Sequence, residues 1–124
     1  MSGGKNKDEA LAEFLTDSLA EWKRGEVRIR KMFGGRGVYC GELMFALIAD
    51  GALYLKVDDS SRPRFEAEGL TPFVFDSKRG RVALSYYGAP DAIFDSQRAL
   101  EDWAGEAQSA AVRAASTPKR KKKK

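Results

Sequence analysis

Gly34, Gly35 and Gly37 crowd into four positions of the stretch RKMFGGRGVYC, beside Lys31 and Arg36. A glycine run flanked by cations is the composition of a phosphate cradle, which needs backbone N–H groups converging on the anion and usually a helix that starts there. The residues that follow, GVYCGELMFALIAD, are rich in Val, Tyr, Phe, Leu and Ile and are interrupted after Cys40 by Gly41, which predicts strand, turn and strand. The phosphate-loop pattern, in which Gly-Lys-Ser/Thr closes the run, is also missing. The Gly34-x-x-Gly37 spacing matches the loop of KH domains, but that loop joins two helices around RNA, and no helix is predicted on either side here. The glycines are therefore predicted to shape a bend, with at least one in the left-handed region that side chains resist.

Other reactive types give little support for catalysis. Cys40 is the single cysteine and the chain has no histidine, so neither an internal disulfide nor a histidine-containing zinc site can form, and no imidazole can activate the thiol. Its alternation with Val38 near a strand end suits a small core residue. Asp50, Asp58 and Asp59 fall where turns and caps use aspartate for hydrogen bonding, and Asp91 and Asp95 precede a helix that they can cap. Arg28 and Arg30, the loop residues Lys31 and Arg36, and Lys78, Arg79 and Arg81 would form one basic face if their two hairpins were neighbours, with Tyr86 and Tyr87 at hand for stacking or hydrogen bonds.

Regular elements must position these residues. Leu11, Phe14, Leu15, Ser18, Leu19 and Trp22 recur at helical spacing, Asn6 with Glu9 makes a capping box, and Gly25 ends the pattern. EVRIRKMF alternates Val27 and Ile29 against Arg28 and Arg30, the signature of a strand with one face in water. Next come Val38 to Cys40, the almost wholly apolar LMFALIA, and the alternating Leu53, Leu55 and Val57; Asp50-Gly51 is a hairpin turn, both of whose positions need positive φ. A short helix follows, with Pro63 in its first turn, Phe65 as its inward anchor and Gly69 at its end. A second hairpin pairs PFVF with RVALSYY around DSKRG. From about Ser96 a helix presents Leu100, Trp103, Ala104, Ala107, Ala111 and Ala114 on one face. Trp22 and Trp103 are both predicted to be largely buried. This order predicts an α+β domain of two layers, an antiparallel β-sheet of about five to six strands with N-terminal, middle and C-terminal helices packed on it.

The chain has 124 residues, 43% of them apolar, enough for one domain with a real core. Its net charge of +4 is carried by the final six residues, KRKKKK; without them 16 Lys and Arg face 18 Asp and Glu. Residues 116–124 are predicted to be a disordered basic tail and 1–9 a flexible start. The MSGGKNKDEA terminus has no apolar signal core, and the longest apolar run falls far short of the ~20 residues of a membrane helix. With a lone cysteine, this points to a cytoplasmic protein that does not enter a membrane.

The stretches KMFGGRGVYCGELMFALIADGALYLKVDD, FEAEGLTPFVF and RVALSYYGAPDAIFD, followed by the alanine-rich helix with Trp103, closely resemble the N-terminal domain of the TfoX/Sxy family of bacterial competence regulators. The resemblance runs over about residues 10–114. It implies an antiparallel sheet with flanking helices and a regulatory role without catalysis. Full-length members carry a second, C-terminal domain, for which only the lysine tail remains here, so a stand-alone N-terminal domain is implied over residues 10–115.

The combined expectation is a non-catalytic regulatory or adaptor domain, without cofactor or metal, that meets an unidentified protein partner as a monomer or weak homodimer. Lys31, Phe33, Gly34, Gly35, Arg36 and Gly37 at the bend, with Tyr86 and Tyr87, are the candidate binding residues. The alternative is a nucleic-acid-associated protein using a basic sheet face and the tail residues Lys119, Arg120, Lys121, Lys122, Lys123 and Lys124, which would act by releasing counterions from phosphates.

Overall fold

The structure, a computed structural model, describes residues 6–32 and 34–116. The chain opens with α1 (Lys7–Ser18), already helical within the segment expected to be flexible, because the Asn6 side chain accepts the Glu9 N–H at 2.8 Å and caps it. A meander follows: β1 (Val27–Met32), β2 (Gly35–Cys40), β3 (Leu43–Ala49) and β4 (Ala52–Lys56). Then come α2 (Arg62–Ala67), the hairpin β5 (Pro72–Ser77) and β6 (Gly80–Gly88), a short α3 (Ala92–Asp95) and the long α4 (Gln97–Ser116). The six strands form one antiparallel sheet in the order β1-β2-β3-β4-β6-β5. The expected α+β fold is the observed one.

Local chemistry accounts for most element ends. Asp50 and Gly51 both have positive φ, 53° and 78°, the geometry that a tight β3–β4 turn needs. Gly34 bends the chain from β1 into β2 at φ 82°. Ser96 caps α4 by accepting the Ala99 N–H at 3.1 Å. Asp91 stands at the start of α3 without a capping hydrogen bond from its side chain, so the expected cap is not made there.

Alternation along the strands sends Val38, Cys40, Ala46, Ile48, Leu53, Leu55 and Tyr87 to one side. There they form the core with Leu15 and Leu19 from the first helical segment, Phe65 of α2, Ile93 of α3, and Leu100, Trp103, Ala104 and Ala107 of α4. The alanines let α4 lie close over β3 and β4, where its contacts with the sheet are made. Arg64 ties α2 to α4 by stacking its guanidinium 3.9 Å from the Trp103 ring centroid and pairing with Asp102 at 2.6 Å and Glu106 at 3.3 Å.

Three expectations are corrected. The first helix ends at Ser18 rather than continuing to Trp22, which instead enters a single 3-10 turn in which Lys23, Arg24 and Gly25 all have positive φ. Trp22 is consequently only partly buried, its ring 5.7 Å from that of Phe45, whereas Trp103 is 7% exposed. Ala114 is exposed, because the buried stripe of α4 ends at Ala111.

Candidate interaction surface

The bend does not build a phosphate cradle. Gly35, Arg36 and Gly37 belong to β2, an inner strand whose backbone groups are committed to ladders with β1 and β3. The glycines have three different steric duties. Gly34 supplies the left-handed turn; a Cβ at Gly35 would collide with the Ile48 carbonyl oxygen; and a Cβ at Gly37 would stand 2.7 Å from the sulfurs of both Met32 and Met44. Gly37 is thus the floor on which two methionines meet.

Lys31 and Arg36, paired across β1 and β2, turn to the helix side and line a shallow depression of about 350 Å³ with Asn6, Asp8, Met32, Gly34 and Gly35. The carboxylates at the start of α1 moderate its charge: Glu9 lies 3.9 Å from an Arg36 terminal nitrogen, and Asp8 accepts the Gly51 N–H at 2.7 Å. Arg36 Nε is buried with no hydrogen-bond partner among the described residues. Phe33 and the tail residues Lys119 to Lys124 lie outside the described residues.

Tyr86 and Tyr87 point to opposite faces. Tyr87 enters the core and donates to Glu66 Oε2 at 2.9 Å, and this hydrogen bond is the leading cause that raises its pKa. Tyr86 lies on the other face and donates to the Met44 carbonyl at 3.4 Å; burial, with the nearby Tyr39, pushes its pKa up to about 12. The condition for a single basic face is not met. β1 and the β5–β6 hairpin sit at opposite ends of the sheet, four strand spacings or roughly 19 Å apart at the nearest.

The face away from the helices nevertheless has a distinct chemistry. Arg28, Arg30, Met32, Gly37, Tyr39, Met44 and Leu47 project from β1 to β3, and Tyr54, Lys56, Tyr86, Leu84, Val82, Phe73 and Phe75 from the remaining strands. Contacts run across it. Arg30 lies 5.3 Å from the Tyr39 ring centroid and Lys56 5.2 Å from that of Tyr86; Tyr54 meets Phe73 edge-on at 4.9 Å, and Phe73 stacks on Phe75 at 6.1 Å. Leu47 and Tyr86 are buried here outside the main core, while Phe75 and Leu84 remain 40% and 36% exposed.

Charge on this face has one sign. Asp76 is the single carboxylate in the six strands, and it points the other way with Arg81, 3.7 Å from it. The pairs Arg36–Glu9, Arg62–Asp59, Arg64–Asp102 and Arg113–Asp58 also lie off this face. Arg28, Arg30 and Lys56 have no carboxylate partner among the described residues. From sequence, Arg28, Arg30, Gly35, Gly37 and Tyr86 are named but not the apolar residues of this surface, although LMFALIA carries the signal: a strand without polar alternation is apolar on both faces.

Asp58 serves structure. Asp58 accepts both an Arg113 pair, at 2.6 and 3.1 Å, and the Ser61 N–H, and the arginine hydrogen bond holds its pKa well below the usual carboxylate range. Cys40 is buried and its thiol pKa is raised, chiefly by burial and then by Glu26. Among the described residues, no group of three or more His, Cys, Asp or Glu comes together to hold a metal ion, and no helix is long and apolar enough to cross a membrane.

A helix layer on one side of a six-stranded antiparallel sheet, with the other side left open, defines a small two-layer α+β domain. The profile of the TfoX N-terminal domain matches residues 17–111, and the chain belongs to that family. The DNA transformation protein TfoX1 of Aliivibrio fischeri (strain ATCC 700601 / ES114) is 31% identical over 77 residues, which are 62% of this chain and 36% of that protein. The chain therefore spans little more than a third of the length of that relative.

Proposed function

We propose that this is a non-catalytic regulatory domain of the bacterial cytoplasm that works by contact with another protein, in the control of DNA transformation or a related transcriptional response. Family membership and the relative's name support the regulatory setting. The observation that carries the contact reading is the open sheet face, where Phe75 and Leu84 stay exposed among apolar and aromatic side chains and the three cations Arg28, Arg30 and Lys56. Antiparallel sheets normally turn a polar side to water, and an exposed apolar patch of this kind marks a place where something binds. Gly37 and Tyr86 belong to this face; Lys31, Gly34, Gly35 and Arg36 line the depression that opens on the helix side at the same sheet edge.

The test is cross-linking and affinity capture from the native cytoplasm with the intact chain, the exposed-face variants Phe75→Ser and Leu84→Ser, and Asp17→Asn on α1 as a control. The face variants should melt like the wild type yet lose a captured protein that Asp17→Asn retains. Identical capture by all four proteins would reject the face as the contact surface.

A further inference from the structure

We infer that the occupant of the open sheet face is an acidic amphipathic helix carried by the partner protein. This rests on the reading of that face as a protein contact surface and adds the chemistry of what covers it. β3 is apolar towards both sides, yet only one side is covered by helices. A helix with an apolar stripe is the element that covers an antiparallel sheet face, as α1 and α4 do on the opposite side of these same strands.

Charge selects the sign of that helix. Arg28, Arg30 and Lys56 stand on the face without a carboxylate partner among the described residues, and no strand carboxylate projects onto it, whereas on the helix side acids are at hand and pair with Arg36, Arg64 and Arg113, though not with Lys31 or Arg98. Glutamates or aspartates flanking an apolar stripe would complete the missing pairs. A second copy of this chain packed face to face would set three cations against three cations, which like-charge repulsion disfavours. Single-stranded nucleic acid needs open ring faces for its bases. Here Arg30 already covers Tyr39, Lys56 covers Tyr86, Phe75 is stacked on Phe73, and Leu84, also exposed, is aliphatic.

The experiment titrates the full chain into a fluorescein-labelled peptide of about eighteen residues, with leucine at i, i+3, i+4 and i+7 and glutamate elsewhere. Anisotropy should show saturable binding that weakens as salt rises from ~50 to ~500 mM. Arg30→Glu with Lys56→Glu, and separately Phe75→Ser with Leu84→Ser, should each weaken it about ten-fold or more, and a lysine counterpart of the peptide should bind at least about ten-fold less tightly. Circular dichroism and thermal melts confirm that each variant is folded. Equal binding of the lysine peptide would overturn the inference. So would labelled oligo(dT) that binds in its place, survives deletion of 119–124 and is lost in the same face variants, which would make single-stranded nucleic acid the occupant. No peptide binding, with native capture still lost in Phe75→Ser and Leu84→Ser, would remove the acidic helix and leave the contact reading standing. Loss of both results would remove the two together.

Discussion

At the scale of single residues, the glycine run shows three unlike constraints inside four positions. Gly34 needs its φ of 82° but has open space around its absent Cβ, so Gly34→Ala should cost about 1 kcal/mol from backbone strain. Gly35→Ala should cost more, about 2 to 3 kcal/mol, because the new methyl meets the backbone of Ile48 and a strand must move to admit it. Gly37→Ala meets two methionine sulfurs, and flexible thioethers can swing away, so its cost should stay within about 1 kcal/mol. Urea unfolding of the three variants checks the order; a Gly34 variant more damaging than the Gly35 variant would contradict it. The need for a left-handed residue was legible from sequence. Which glycine faced which neighbour was not, because Ile48 and Met44 are brought beside the bend only by the β2–β3 pairing.

At the scale of elements, local signals succeeded wherever the deciding interaction lies within a few residues. The Asp50-Gly51 turn and the Asn6 cap are of this kind; the Phe65 anchor, fully buried, is legible from its local spacing but is held by the distant rings of Tyr87 and Trp103. Trp22 shows the limit. Its spacing continues the apolar stripe of α1, but the helix stops at Ser18, and Lys23, Arg24 and Gly25 carry the chain towards β1 through positive φ. Nothing in the order of apolar residues predicts left-handed lysine and arginine. The two tryptophans should therefore respond unequally: Trp103→Ala, which also removes the ring under Arg64, should cost about 3 to 5 kcal/mol, and Trp22→Ala about 1 to 2 kcal/mol. Chemical denaturation of both variants tests the difference, and equal losses would place Trp22 deeper than its partial exposure allows.

At the scale of the whole molecule, the two sides of the sheet are held by different means. The helix side joins a continuous apolar core to crossing ion pairs such as Arg64–Asp102 and Arg113–Asp58, while on the open side cations lie over rings with no carboxylate beside them among the described residues. The class and layer order were legible because they follow from the succession of periodic segments. The strand order was not, since no local pattern says that β6 rather than β5 joins β4. That skip has a kinetic consequence. β1 to β4 pair with successive neighbours, as do β5 and β6, while the two blocks are joined along the sheet by three residue pairs, Tyr54 with Gly88, Leu55 with Tyr87 and Lys56 with Tyr86, and by the Val57 N–H donating to Ser85 and the Ala89 N–H to Leu53 at either end. The hairpins close short loops, whereas this seam must wait for α2 and β5 to be laid down, so it is expected to be the last ladder to zip and the first to part. Native-state hydrogen exchange should then resolve the β5–β6 hairpin as a unit that opens at lower free energy than the meander, and uniform exchange across all six strands would argue for a single cooperative block. On that outcome the hairpin that carries Phe75 and Leu84 would be the part of the sheet able to come and go while the rest stays folded, Tyr87 leaving the core with it.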